Sequence, residues 1–104
     1  MVAAAWSRQF AWAPQRPDLG PEGRTLSLGE RQRVALDRAL AAGRPVVVLD
    51  EPTSHLDRTN RDAVIARIVA TARTGVTVVV ATHEPEPIAV ADTTVTVTAM
   101  EVAR

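Results

Sequence analysis

The stretch Pro-Val-Val-Val-Leu-Asp-Glu-Pro, residues 45–52, decides the fold of this chain. Its apolar run is β-branched at three positions and has no polar alternation, which predicts a strand buried on both faces. Such strands are typical of parallel sheets covered by helices. Asp50 and Glu51 follow the run directly, at the strand's carboxyl end. Because ligands of open parallel sheets bind beyond the carboxyl ends of the strands, this pair is a candidate site.

Elements of the same kind surround this stretch. Residues 76–81 repeat the buried-strand pattern, and residues 9–13 form a short predicted strand that stops at a proline. Apolar residues at helical spacing predict a helix over 58–73. A helical turn near 88–91 and an alternating edge strand over 94–98 complete the order strand, helix, strand, helix, strand, strand. This order predicts an α/β fold with a partly parallel sheet.

The first helix has a clear start signal. Ser27 is followed three positions later by Glu30, a capping-box spacing in which each side chain satisfies the other's backbone amide. The helical body spans 31–42, and Gly43 is placed to close it in the left-handed conformation. Prolines and glycines over residues 14–25 predict an exposed, irregular loop before the helix.

The amino-acid composition excludes several classes of function. The 104 residues suit one domain, 1–104, and twelve arginines balance twelve acidic residues, which argues against nucleic-acid binding by bulk charge. There is no cysteine and no lysine, so thiolate and lysine chemistry from this chain are excluded. The apolar runs are too short to cross a bilayer, and we expect no direct membrane insertion.

Each site candidate also has a plain structural interpretation. Asp50 could cap the next turn while Glu51 is merely solvated, and His83, which follows the strand over 76–81, could be a hydrogen-bonding loop residue. His55 has no ligand-type neighbour at a metal-binding spacing and is expected to be exposed. Trp6 and Trp12 are expected to be packing residues. The residues alone do not decide between these structural interpretations and a functional site.

Two blocks of sequence carry a family resemblance. Residues 26–33 read Leu-Ser-Leu-Gly-Glu-Arg-Gln-Arg, and residues 50–57 read Asp-Glu-Pro-Thr-Ser-His-Leu-Asp. Together with Gln15 and His83 they resemble, in order and near spacing, the C-terminal half of an ABC transporter ATP-binding domain. The resemblance covers residues 9–98 and implies a P-loop NTPase-like half domain. The matched motifs are the Q-loop, signature, Walker B, D-loop and switch histidine.

The resemblance implies roles at the strand ends. Asp50 would hold Mg²⁺ through water, Glu51 would be the general base toward the hydrolytic water, and His83 would contact the γ-phosphate of ATP. Gln15 would sense the magnesium and couple to a transmembrane transporter subunit. Asp57 would reach across a dimer interface.

The signature residues Ser27 and Gly29 would contact the phosphate of an ATP held by a partner nucleotide-binding domain. Their chemistry suits this, because a helix start with a hydroxyl and a glycine favours anions. The active form would then be a dimer with ATP and Mg²⁺ between subunits. The resemblance places it in the cytoplasm, peripheral at the inner face of the cell membrane.

Three departures from the family pattern stand out. No Gly-x-x-x-x-Gly-Lys-Ser/Thr loop is present, and a chain without lysine contains no relocated version. Only residues 16–26 separate Gln15 from Ser27, where the family inserts a helical subdomain. The signature carries Leu28 where glycine is usual and Glu30 where glutamine is usual.

The sequence therefore predicts a truncated ATP-binding subunit of an ABC transporter that does not hydrolyse ATP alone. The sequences of three stretches, residues 10–17, 29–33 and 82–85, are most similar to those of exporter-type domains. An example of such a domain is that of the thiol exporter of cytochrome bd assembly. Two alternatives remain. The chain could be a non-catalytic module that gives its signature helix to a partner domain, or the product of a decayed gene.

Overall fold

A parallel three-stranded sheet forms the centre of the computed structural model, which describes residues 9–97. The strands are β1 (Phe10–Ala13), β2 (Val46–Asp50) and β3 (Thr77–Ala81), in the order β1-β2-β3. Both strand pairs are parallel, and the register sets Trp12 beside Val48 and Val48 beside Val79. The predicted α/β class with a parallel sheet is confirmed, as a partial P-loop NTPase-like fold.

The connections between strands are helical. Helix α1 (Leu28–Ala41) joins β1 to β2, α2 (Arg58–Arg73) joins β2 to β3, and the short α3 (Pro85–Ala89) follows β3. Side chains of α1 and α2 pack on the same face of the sheet, with Leu49 fully buried beneath them. The buried apolar core comprises Ala11, Ala13, Ala35, Leu36, Ala39, Val47, Leu49 and Ile68.

The helix ends follow local chemistry. Ser27 is the N-cap of α1, with the predicted capping box to Glu30 in place. Gly43 has a φ of 68°, the left-handed conformation expected of a residue that ends a helix. Asp57 caps α2, whose bounds match the prediction of 58–73. The irregular loop before α1 contains one 3₁₀ turn, Gly20–Gly23.

The prediction that β2 is buried on both faces is wrong for the part of the chain that the structure describes. Val47 and Leu49 are 1% and 0% exposed, but Val48, between them, is only partly buried. Beside it, Trp12 is 65% exposed and Val79 is 47% exposed, so Trp12 is not a packing residue here, and Trp6 lies outside the described residues. The reason is that α1 and α2 lie on one face, and within residues 9–97 nothing covers the other.

The edge strand predicted over 94–98 is also wrong where it can be examined. Residues 94–97 have no strand structure, and Thr98 lies outside the described residues. Val95 and Val97 are 81% and 90% exposed. Alternating β-branched residues favour a strand only when a neighbour offers hydrogen bonds, and this segment has none within residues 9–97. The predicted helical turn near 88–91 begins earlier, as α3.

Two ion pairs connect the helices. Arg67 of α2 pairs with Asp37 of α1, and Arg61 of α2 lies 2.6 Å from Glu86 of α3. Both pairs are partly exposed, so they orient the helices more than they stabilise them. None of the helices described is long and apolar enough to span a membrane.

Candidate functional site

Polar residues follow all three strands at the same edge of the sheet. Gln15 comes shortly after β1, Asp50 and Glu51 stand at the end of β2, and His83 follows β3. Because the strands are parallel, these ends lie side by side. Glu51 and His83 are in direct contact, so the sheet brings together the two residues predicted to be catalytic.

The Glu51 carboxylate is held at both oxygens. Its Oε1 lies 2.9 Å from Nδ1 of His83, and its Oε2 accepts a hydrogen bond of 3.2 Å from the Thr82 hydroxyl. The backbone amide of Glu51 donates to the carbonyl of Ala81 at 2.8 Å, which continues the β2–β3 pairing by one residue. The side chain is 17% exposed, so a partly buried carboxylate is fixed in one orientation at the strand ends.

His83 is the exposed member of this pair, with 83% of its side chain accessible. Its pKa is raised above a histidine's usual value, chiefly by the hydrogen bond to Glu51, then by the charge of Glu51 and, less, of Glu84. A protonated imidazole that donates through Nδ1 to a carboxylate still has a second N–H for an anionic ligand. The geometry therefore suits contact with a phosphate.

Thr82 is a site residue that the sequence analysis did not assign. Its hydroxyl donates to Glu51 and accepts a hydrogen bond of 3.0 Å from the amide of Glu84. The first bond orients the carboxylate, and the second fixes the turn that presents His83. The only sequence signal was its position between β3 and His83, which does not predict the direction of a hydroxyl.

Asp50 is the last residue of β2, half-buried and in register with Ala81. Mg²⁺ is usually held by one or two carboxylates together with substrate phosphates, and Asp50 is a donor of that kind. No cluster of three or more acidic, histidine or cysteine side chains able to hold a metal occurs within residues 9–97. A lone carboxylate such as that of Asp50 suits an Mg²⁺ ion that also has phosphate oxygens and waters as ligands.

Gln15 is tied to helix α1 through its backbone. Its carbonyl oxygen accepts a hydrogen bond of 2.5 Å from Nε2 of Gln32, and the residue is half-buried. Sequence reasoning missed Gln32, because nothing in its position within the Arg-Gln-Arg stretch indicates a partner seventeen residues away. The bond couples the loop after β1 to the helix that carries the signature motif.

The signature residues lie at the start of α1. The Ser27 hydroxyl accepts from the amide of Glu30 at 3.1 Å, and Oε1 of Glu30 accepts from the amide of Ser27 at 3.1 Å. The hydrogen bond from the Ser27 amide, and then the bonding with the Ser27 side chain, lower the pKa of Glu30 below a glutamate's usual value. A side chain added at Gly29 would meet nothing within 4 Å, so the surroundings of Gly29 are open. Among the described residues, no hydrogen bond joins Ser27 or Gly29 to Glu51 or His83.

Asp57 is engaged within its own helix. Its Oδ1 accepts from the amide of Asn60 at 2.8 Å, and its Oδ2 accepts from the Asn60 side chain at 3.2 Å. The residue is exposed, at the start of α2. The structure gives Asp57 a capping function, and its predicted role across a dimer interface stays a prediction.

Comparison with known proteins identifies a family. The family model of ABC transporters matches residues 3–54, half of the chain. The matched segment contains Gln15, the signature motif, Asp50 and Glu51.

Three relatives illustrate the range of transport systems whose ATP-binding proteins are similar to this chain. The chain is 44% identical over 75 residues to the type I secretion system ATP-binding protein PrsD of Rhizobium meliloti. This match covers 72% of the chain and 13% of PrsD. It is 47% identical over 64 residues to the thiamine import ATP-binding protein ThiQ of Mesorhizobium japonicum. This match covers 61% of the chain and 25% of ThiQ.

The third relative is the glutathione/L-cysteine transport system ATP-binding/permease protein CydC of Bacillus subtilis, 59% identical over 39 residues, which cover 38% of the chain and 7% of that protein. The chain thus matches no more than a quarter of the length of any of the three. The family predicted from the motifs is confirmed. The chain belongs to the ABC transporter family, as sequence of its ATP-binding domain.

Proposed function

We propose that this chain carries the hydrolytic carboxylates of an ABC transporter ATPase, and that a lysine-containing phosphate loop reaches it from another polypeptide segment. The observation that supports this most strongly is the Glu51–His83 contact of 2.9 Å at adjoining strand ends, with Asp50 next to Glu51. Both carboxylate oxygens of Glu51 are bonded by residues that follow β3, and its side chain is only 17% exposed, which argues against a merely solvated turn residue.

Glu51 is the proton acceptor in this proposal. A general base must lie within hydrogen-bond reach of the water it activates, and its orientation must be set before the reaction. Thr82 and His83 set the orientation of Glu51 from two sides. His83 then has its second ring nitrogen available to donate to the terminal phosphate.

Asp50 would hold the magnesium ion of the bound nucleotide through water. When bound, Mg²⁺ neutralises charge that develops on the phosphate oxygens. Asp50 is half-buried at the end of a paired strand, and this pairing fixes the backbone position that carries its carboxylate.

The missing lysine sets the limit of what this chain does by itself. In P-loop NTPases the loop lysine and backbone amides cradle the phosphates, and none of the 104 residues is lysine. The isolated chain is therefore expected not to hydrolyse ATP. In an assembled ATPase dimer, Ser27 and Gly29 would face an ATP held by the partner, Asp57 would lie at the interface, and Gln15 would couple to the transmembrane subunit.

The transport function is proposed on similarity. Relatives include export and import proteins, and the shared stretch with CydC favours an exporter of thiol compounds. In this proposal the chain acts in the cytoplasm, at the inner face of the cell membrane.

The test is reconstitution with a probe that we name the ThiQ segment. It is a polypeptide with a strand, a Gly-x-x-x-x-Gly-Lys-Ser/Thr loop and a helix, its sequence taken from ThiQ. If turnover appears on mixing, Glu51→Gln should lower it by about 10² to 10⁴ while ATP binding is kept, because the amide retains the shape and cannot accept the proton. Asp50→Asn should weaken only the magnesium-dependent part of ATP binding.

The matched control is Asp62→Asn, an exposed acidic residue on α2. It should leave reconstituted turnover unchanged. If Glu51→Gln and Asp50→Asn behaved like this control, the strand ends would not be the catalytic centre.

The alternative function is a non-catalytic module that presents α1 to a partner domain. It is favoured by one observation, the exposure of Leu28 and Gly29 at the start of that helix. In that case the chain would stimulate a complete partner ATPase, and Glu51→Gln in this chain would not reduce the stimulation.

A further inference from the structure

An ion pair joins α2 to the segment that follows His83. Nη1 of Arg61, in the first turn of α2, lies 2.6 Å from Oε1 of Glu86 in α3. The amide of Arg61 donates to the carbonyl of Asp57 at 2.8 Å, so the backbone of Arg61 is fixed within its helix. Glu86 comes three residues after His83. The pair therefore connects a long helix to the residues just beyond the candidate site.

The pair is partly shielded from water. The Arg61 side chain is 24% exposed. Nε of Arg61 and Oε2 of Glu86 are buried, and neither atom has a hydrogen-bond partner within residues 9–97. Each charge therefore depends on the other for compensation, and breaking such a pair leaves the remaining charge poorly compensated. The position of α3 against α2 is constrained more firmly by this pair than by an exposed one.

Helix α3 needs contacts of this kind. It has five residues, too few for a helix that is stable by itself in water. Its N-cap, Glu84, makes no capping hydrogen bond through its side chain, and among the five residues only Pro87 is buried. Contacts with the rest of the molecule must therefore hold α3 in place, and the Arg61–Glu86 pair supplies one.

The start of α3 is bonded to the candidate site. The amide of Glu84, the residue before α3, donates to the Thr82 hydroxyl at 3.0 Å, and that hydroxyl donates to Oε2 of Glu51. His83, between them in sequence, contacts Oε1 of Glu51 at 2.9 Å. A shift of α3 would move this turn and lengthen the contact between His83 and Glu51.

We propose that Arg61 and Glu86 are positioning residues, whose ion pair anchors α3 and so holds the turn over residues 82–84 where His83 meets Glu51. The consequence for ATP turnover rests on the proposed function. The consequence for the contact between His83 and Glu51 rests on the geometry of the chain and is measurable without ATP.

The experiment measures the pKa of His83 by NMR in the full chain and in Arg61→Gln. The hydrogen bond to Glu51 is the chief cause that raises this pKa, so a displaced turn should lower it toward 6.5. The loss of a positive charge, acting through space alone, would raise the pKa of His83 instead. The sign of the shift therefore distinguishes positioning from a simple charge effect.

Arg67→Gln is the matched control. It makes the same substitution on the same helix and breaks the ion pair of Arg67 with Asp37 of α1, which does not involve α3. It should leave the pKa of His83 unchanged. Arg61→Lys keeps the positive charge and should retain the raised pKa. Circular dichroism verifies folding, and Arg61→Met, which keeps the apolar stem, replaces Arg61→Gln if that variant does not fold.

Three results would overturn the proposal. One is a pKa of His83 that is unchanged or higher in Arg61→Gln. Another is an equal lowering by Arg67→Gln, which would indicate a general loosening of α2. The third is the loss of the raised pKa in Arg61→Lys, since that variant keeps the charge that pairs with Glu86.

Turnover on mixing with the ThiQ segment separates this proposal from the proposed function. Arg61→Gln should lower kcat by up to about 10²-fold, the effect of misplacing a reacting group by about 1 Å, and should leave the KM for ATP unchanged. A lowered pKa of His83 with no turnover in any variant supports the positioning pair and counts against the proposed function. Equal turnover with and without Arg61→Gln, at an unchanged pKa, supports the proposed function and overturns the positioning pair.

Discussion

At Glu51 the two carboxylate oxygens have partners of different kinds. The Thr82 hydroxyl is neutral at every accessible pH, whereas the His83 imidazole gains charge as the pH falls. One bond therefore orients the carboxylate permanently, and the other adds an ion pair that depends on pH. Any activity that uses this pair inherits that dependence.

A first prediction concerns the titration of His83. Its pKa, followed by NMR, should lie above the usual 6.5, since the charged form donates to Glu51. The sign follows from linkage: the stabilisation is present in full below the unfolded value and is lost as the pH rises through the raised folded value. Glu51→Gln should bring the pKa back toward 6.5, and Glu84→Gln should lower it less. The reverse order of the two variants would contradict the assigned cause.

At the scale of residues, sequence reasoning predicted Asp50, Glu51 and His83 at one edge, because parallel strand ends must meet there. It did not predict Thr82 or Gln32. Their contributions depend on the direction of a hydroxyl and on a contact between distant parts of the chain. Spacing along a sequence carries no information on either.

At the scale of elements, α1 depends on its first turn. Ser27→Ala removes the hydroxyl that accepts from Glu30 and should lower the free energy of unfolding by about 1 kcal/mol. Urea denaturation measures this. Thr25→Ala, at an exposed position before the cap, is the control and should change little. Equal effects of the two substitutions would show that the capping box does not stabilise the helix.

Strand β2 offers a sharper comparison. Val47→Asp places a charge at a position that is 1% exposed and should unfold the chain, since an unpaired buried charge costs several kcal/mol against a total of about 5 to 15. Val48→Asp lies on the face of the sheet opposite α1 and α2 and should leave the chain folded. Thermal melts of both variants test this. Unfolding of the Val48 variant alone would mean that the two faces are assigned the wrong way round.

The helices were predictable because their signals are local. The capping box and Gly43 mark α1, and the apolar spacing marks α2. The strand expected over 94–98 could not be judged from local signals, because strand propensity alone does not form a strand. Hydrogen bonds from a neighbouring strand decide whether such a segment becomes a strand, and residues 94–97 have no adjacent strand among the described residues.

At the scale of the whole molecule, the sequence pattern and the structure disagree in an informative way. The apolar run in β2 is typical of a strand covered on both sides, and residues 9–97 supply only one cover. Val48 and Trp12 thus have the composition of a core and the exposure of a surface. That composition is typical of a parallel sheet that is covered on both faces.

A prediction follows for the isolated chain. It should bind ATP no more tightly than the millimolar range, about 4 kcal/mol of binding free energy, because no lysine loop holds the phosphates. Isothermal titration calorimetry measures this, with Mg²⁺ present. Micromolar affinity would show that the chain has its own phosphate site.

The backbone of Glu51 has a φ of 48°, a left-handed conformation that is unfavourable by roughly 1 to 2 kcal/mol for most residues and less so for asparagine and glycine. Its exposed contact with His83 recovers little of that energy. In a library randomised at position 51 and sorted only for folded protein, asparagine and glycine should therefore outnumber glutamate. The same library sorted for ATP turnover with the ThiQ segment should return glutamate, so the residue best suited to the chemistry is not the one best suited to the turn.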